Sequence, residues 1–290
     1  MENVYAIKAH IKSVESTRKI TRSMKLVSAS KLHRVQGQLS GFTYYADSCR
    51  RALDVALSGG EDGPLLRKRA GDGPDRVCYV AFVGSRGLCG GYNQELMDCL
   101  RRTVAEDPGD FRCVICGRWH PETEEDGSLR LLRRFEDMGD VPAPEDGAAL
   151  SEYLKGLFLS GDFDRVVLLY QKHAHMSQSP ESLQLLPLRR EEGAGAGREV
   201  IFEPDRRTLV ERLCNMYTGA CVRRVLLESR LSEHYARMTA MTAATDNAEK
   251  LERELSLKMN RTRQAKITTE LSEIVGGSKA LGRSEARDAT

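Results

Sequence analysis

Proline is missing from both ends of this chain. All nine prolines fall between Pro64 and Pro204, so residues 1–63 and 205–290 contain no obligate helix breaker. Aromatic residues are scarce, at 6% of the chain with Trp119 the single tryptophan, whereas 30% of residues are charged. That balance argues against one thick core and for long helices with solvated faces. An excess of one charge is also missing: the net charge is +2, so overall charge singles out neither nucleic acid nor an anionic membrane as partner. No apolar run approaches the roughly 18–20 residues of a membrane-spanning helix. Met1 to Ala9 holds Glu2 and Lys8 and no apolar segment, so no export signal is expected. The eight cysteines are then expected to be reduced, structural and intracellular.

What is present is helical periodicity at both ends. Val4, Ile7, Ile11 and Val14, then Met24, Val27, Leu32, Val35, Leu39 and Phe42, repeat in steps of mostly three and four. After Pro204, with Asp205 as the expected N-cap, Leu209, Leu213, Met216 and Ala220 begin a longer series. It runs through Leu251, Leu255 and Met259 to Ile267, Leu271 and Ile274, and Gly276-Gly277 supplies a stop. At roughly 1.5 Å per residue such helices run about 80 Å and 105 Å, and two of them can pair into a rod. The seam has polar interruptions at Ser16–Arg22 and Asn260–Lys266. Gly37 and Gly41 mark a bend or a close approach to the partner helix. A basic band runs from Lys8 and Lys12 through Lys19, Arg22 and Lys25 to Arg34, opposed only by Glu15.

The middle alternates two periods. Val77–Val83, Phe111–Cys116 and Val166–Tyr170 are apolar runs of buried-strand length, separated by helical spacing at Leu96–Val104 and Leu150–Leu159. Alternating strands and helices predict an open α/β sheet with parallel pairing. Residues 118–147 are rich in acidic residues, glycine and proline and predict no clear element. The expected domains are a long helix at 1–58, an α/β domain at 76–203, a second long helix at 204–283 and a polar tail at 284–290.

Catalytic chemistry is not legible. The glycines at 84, 87, 90 and 91 follow a strand and precede a helix, as a phosphate-binding loop would. They do not form G-x-G-x-x-G, and the chain contains no Gly-Lys pair for a P-loop. A tight turn that lets a helix pack closely on a sheet is the better reading. Cys113 and Cys116 form a C-x-x-C inside an apolar strand, with no second pair to complete a metal site. His173 and His175 have no acidic or sulfur ligand at useful spacing and are expected in a polar surface loop. Ser177 and Ser179 lack a nucleophile context.

Several segments resemble one family. Residues 11–31 (IKSVESTRKITRSMKLVSASK) are similar to the N-terminal helix of the gamma subunit of F-type ATP synthases. Residues 86–93 (RGLCGGYN) resemble that family's glycine-rich signature, and residues 176–180 (MSQSP) and 185–188 (LLPL) resemble its middle domain. Residues 236–247 (ARMTAMTAATDN) and 263–275 (RQAKITTELSEIV) are similar to its C-terminal helix. The resemblance implies an antiparallel coiled coil of the two terminal helices plus a Rossmann-like α/β domain. It implies a central rotor shaft that couples transmembrane proton flow to ATP synthesis or hydrolysis without catalysing anything or holding a cofactor itself. The implied partners are the alpha and beta subunits, the epsilon subunit and the c-ring, on the cytoplasmic face of a bacterial plasma membrane. The implied rotor–stator contacts are Lys19, Arg22, Met24 and Lys25 on the first helix and Arg263, Gln264 and Thr268 on the last. The polar seam stretches would then face the stator. The absence of a cysteine-bearing insert argues against thiol control, and the polar tail from Gly282 is expected to project without order. Two rivals remain: a coiled-coil adaptor unrelated to energy conversion, and a nucleotide-binding enzyme using residues 84–93.

Overall fold

A computed structural model describes residues 4–67, 75–107, 109–119, 129–174, 177–189 and 200–285. The elements in chain order are α1 (Val4–Leu57), β1 (Val77–Phe82), α2 (Tyr92–Glu106), β2 (Phe111–Cys116), β3 (Leu131–Phe135), α3 (Pro144–Leu159), β4 (Arg165–Ala174), β5 (Ser177–Leu186) and α4 (Arg206–Glu285). The chain forms two compact units, residues 1–26 with 241–290, and residues 27–240, so each long helix contributes to both.

In the first unit the two helices run antiparallel. Ile7 and Val14 of α1 are buried with Leu255 and Ala248 of α4, and Ile11 and Met259 pack against them. The Thr21 and Thr245 hydroxyls meet at 2.8 Å, and Arg18 pairs with Glu252 at 3.1 Å and Glu249 at 3.4 Å. Low numbers on α1 thus face high numbers on α4. The polar stretch from Ser16 to Arg22 is partly consumed by these contacts within the pair rather than left open.

In the second unit α1 and α4 again pair antiparallel, with Val35 against Leu227 and Leu231, and Arg50 over the Tyr217 ring. They carry a five-stranded sheet of order β3-β2-β1-β4-β5, a Rossmann-like arrangement. The β1–β2, β1–β4 and β2–β3 pairs are parallel and β4–β5 is antiparallel. Each central strand buries both faces, which is why β1 reads as an unbroken apolar run. Cys78, Val80 and Phe82 join Leu150, Leu154, Val222 and Val225 on one face, while Val77, Tyr79 and Val83 join Leu96, Met97 and Leu100 of α2 on the other. Each such large apolar side chain, fully buried, contributes about 1.5–3 kcal/mol. Gly117 (φ +138°) ends β2 where a Cβ would stand 2.3 Å from the Val83 carbonyl oxygen, so only glycine fits there.

Several expectations need correction. β3 lies in the stretch that predicts no element, and β5, to which the sequence assigns no element, is an edge strand, where its Pro180 is tolerated. α3 begins six residues earlier than its apolar spacing suggests, with Pro144 in the first turn and the Asp146 carboxylate accepting the Ala143 N–H at 2.7 Å. His173 is not in a surface loop; it is half-buried on β4 with its ring 4.4 Å from that of Tyr235. His175, Met176 and the last residues of the tail, 286–290, lie outside the described residues. α4 does not stop at Gly276-Gly277 and includes Gly282 to Glu285, so the first part of the expected disordered tail is helical. A Cβ at Gly37 or Gly41 would meet nothing within 4 Å, so neither glycine serves a close helix approach.

Candidate interaction surface

Two places in the fold carry residues singled out by sequence. The first is the glycine-rich loop between β1 and α2, at the carboxyl end of the parallel strands where open α/β sheets bind ligands. Here the chain fills that position itself. The Ser85 N–H donates to the Glu233 carboxylate of α4 at 3.1 Å, and Glu233 is 1% exposed. Arg230 and Arg237 flank the carboxylate at 2.7 and 2.6 Å. Arg237 also donates to the Arg86 and Gly87 carbonyls at 2.8 and 3.1 Å. Burial alone would push the Glu233 carboxyl up, but the two guanidiniums outweigh it and hold it below its ordinary value.

Tyr92, at the start of α2, donates to the Phe82 carbonyl and meets the Ser229 hydroxyl at 2.7 Å. His234 contacts the Asp140 carbonyl through Nε2 at 2.9 Å, and the Asp140 carboxylate pairs with Lys31 and Arg86. A loop amide that could have held a phosphate holds a protein carboxylate, so the turn fastens α4 to the sheet. Glu233 and Arg230 lie outside the segments singled out by sequence, and their sequence signal is the clustering of Arg230, Glu233, His234 and Arg237 within eight residues of the helix.

Cys113 and Cys116 point to opposite faces of the sheet and join different clusters, so they cannot chelate one ion together. Burial pushes the Cys113 thiol up to about 12. All eight cysteines are free, and among the described residues no group of three metal-ligating side chains forms.

The second place is the unit built from residues 1–26 and 241–290, which holds all seven implied contact residues. Lys19 and Arg22 are exposed on one face of α1, while Met24 and Lys25 are half-buried. Arg263, Gln264 and Thr268 are exposed on α4, where the Thr268 hydroxyl donates to the Gln264 carbonyl at 3.0 Å. The two groups do not come together. The Thr21–Thr245 and Arg18–Glu249 contacts place Lys19–Lys25 beside residues near 241–248, which leaves Arg263 about 20 Å farther along α4.

Around Arg263 lies an exposed apolar stripe. Ile267, Leu271 and Ile274 were expected in the paired seam, but they are 48%, 58% and 68% exposed, with Val275 beside them also bare. The cause is register: Ile7 packs near Leu255 and Met259, so the described part of α1 does not reach these positions. Steps of four and three put them on one face of α4, next to Arg263, Gln264 and Thr268. A contiguous apolar stripe rimmed by polar groups is the composition of an interaction surface.

In the 27–240 unit Glu233 occupies the loop position where such sheets bind ligands, and in the other unit α4 bares an apolar stripe, the composition of a protein that works through its surfaces. The ATP synthase family model matches residues 3–281. An ATP synthase gamma chain from Desulfitobacterium hafniense is 37% identical over 284 residues, covering 97% of this chain and 100% of the relative, and one from Symbiobacterium thermophilum is 34% identical, covering 97% and 99%. The chain belongs to the ATP synthase gamma-chain family. In fold it is similar to a chain of the Euglena gracilis mitochondrial ATP synthase OSCP/F1/c-ring structure, with TM-score 0.66 at 18% identity, covering 96% of this chain and 94% of that one. It is also similar to a chain of the rotor of the same enzyme, with TM-score 0.64 at 19% identity over 91% and 98%. Among the described residues no helix is long and apolar enough to cross a membrane.

Proposed function

We propose that this chain is the central rotor shaft of an F-type ATP synthase, coupling proton flow through a c-ring to ATP synthesis or hydrolysis in an alpha/beta hexamer. The observation that carries the reading is the bare stripe of Ile267, Leu271 and Ile274 beside exposed Arg263, Gln264 and Thr268. Such a helix end is incomplete alone and suits insertion into an apolar collar. The helix pair is stiffened by the Thr21–Thr245 and Arg18–Glu252 contacts, and an asymmetric shaft presents a different face to each of three sites, stabilising a different state in each.

In this reading the chain itself is non-catalytic, because its sheet cleft is closed by Glu233, and it works from the cytoplasmic face with alpha, beta, epsilon and c subunits. Lys19, Arg22, Met24 and Lys25 meet the stator at one level, and Arg263, Gln264 and Thr268 at another. Charge reversal tests it: in a complex assembled with alpha and beta subunits of the same genome, Arg263→Glu lowers ATP hydrolysis while leaving the fold of this chain intact. Leu271→Lys weakens assembly. Unchanged hydrolysis and assembly in both variants would refute the contact assignment, and self-association of the chain without alpha and beta would favour the adaptor reading.

A further inference from the structure

Within the 27–240 unit, α1, the N-terminal end of α3 and α4 leave an open groove of about 580 Å³ between them. Gly41, Phe42 and Tyr45 line it from α1, and Met216, Gly219 and Arg223 from α4. The volume lies inside the roughly 300–1,000 Å³ of small-molecule sites, and the mixture of an apolar wall with few polar groups is typical of them. Tyr45 and Met216 stand 41% and 46% exposed, although they flank a core. The groove exists because of residue choice. A side chain added at Gly41 would enter open space, so glycine there leaves room rather than permitting a close contact.

Arg223 is the exceptional group. It is 7% exposed, yet its guanidinium donates only to uncharged oxygens, the Ala143 carbonyl and, at 3.4 Å, the Gln38 side chain. Among the described residues no carboxylate lies within ion-pair distance of it. Glu145 and Asp146 act on it only from farther off, and the Asp146 carboxylate is engaged by the Ala143 N–H. Its charge sits 6.0 Å from the centre of the Phe42 ring, at the edge of the apolar wall. A nearly buried guanidinium without a carboxylate, beside bare apolar side chains, matches a ligand with an anionic head and an apolar body.

We propose that this groove binds a small amphipathic carboxylate, its head held by Arg223 and its chain lying over Phe42, Tyr45 and Met216. The ligand would bridge α1, α3 and α4, so its occupancy would tie the sheet's helix to the helix pair within this unit.

Equilibrium dialysis of the full-length chain against labelled decanoate, below its micelle concentration, tests the site. One saturable site per chain is expected, with decanol binding more weakly and decyltrimethylammonium not competing. Arg223→Met weakens decanoate by about tenfold or more, the loss of a charge-assisted pair. Gly41→Leu, which fills the groove from a position with free space, abolishes binding and serves should Arg223→Met fail to fold. Absence of saturable binding, or wild-type affinity in a folded Arg223→Met or Gly41→Leu chain, overturns the proposal. Binding that disappears when the chain is assembled with alpha, beta and epsilon subunits also overturns it, since the groove is then a face that another subunit covers. The dialysis arm on the chain alone does not depend on the shaft assignment.

Discussion

Removing the Glu233 carboxylate should be among the most damaging single changes available in this chain. Glu233→Ala leaves Arg230 and Arg237 buried without their shared counter-ion, and Arg230 already has Nε and one terminal nitrogen buried with no partner among the described residues. It also orphans the Ser85 N–H. Breaking a buried ion pair from one side costs about 3–5 kcal/mol. With a urea dependence of roughly 3 kcal/mol per molar, the unfolding midpoint should fall by about 1–1.7 M. Trp119 is a built-in reporter, because it is the single tryptophan and its backbone N–H donates to the Gly84 carbonyl at 3.0 Å, at the base of the same loop. A urea titration followed by Trp119 fluorescence therefore reads the local and global loss together. Adding Arg230→Met to Glu233→Ala should recover part of the loss, since an uncompensated charge is removed with it. The Glu233 carboxyl is held below its ordinary value, so its contribution is present above the unfolded value of roughly pH 4.3 and is lost as pH falls through the folded one. A midpoint shift under about 0.3 M for Glu233→Ala, about 1 kcal/mol on the same scale, would refute the reasoning.

His234 gives a milder pH effect. Burial pushes its imidazole down, against the opposing pull of the Asp140 carbonyl and Glu233; the unfolded chain then binds the proton more readily, so stability falls as pH drops below roughly 6.5, and His234→Gln should flatten that slope between pH 5 and 7 in urea titrations. In the first unit, Thr21→Val alone should cost about 1 kcal/mol by losing the Thr245 partner, whereas Thr21→Val with Thr245→Val should be closer to neutral, measured as a double-mutant cycle. Gly37→Ala should stabilise by about 0.5–1 kcal/mol, because it lies inside α1 with nothing within 4 Å of the new Cβ; a destabilised variant would mean that this glycine is needed for a contact.

How far the sequence could be read depended on whether local pattern or distant partners decided the element. The long helices were legible because apolar steps of three and four run without proline, and β1, β2 and β4 because strands buried on both faces are continuous apolar runs. Asp205 was legible as a cap and behaves as one, accepting the Thr208 N–H at 2.9 Å. β5 was not legible, since an edge strand can be polar and carry Pro180. The helical stop at Gly276-Gly277 failed because two glycines cost about 1 kcal/mol each, which a long helix can absorb.

At the interaction surface, periodicity identified Ile267, Leu271 and Ile274 as one face but could not say whether α1 reaches them. That depends on a register set near Ile7 and Leu255. The Glu233 closure was illegible for the same reason: it joins residues 148 positions apart. A resemblance to known gamma subunits named Arg263, Gln264 and Thr268, and exposure on α4 leaves them available for that role.

The most direct test of the shaft assignment is the composition of a complex purified after co-expression with the alpha and beta subunits of the same genome. The account predicts one copy of this chain for three alpha and three beta subunits, in a particle that hydrolyses ATP. Recovery of this chain alone or as a homo-oligomer, with alpha and beta left unassembled, would contradict it.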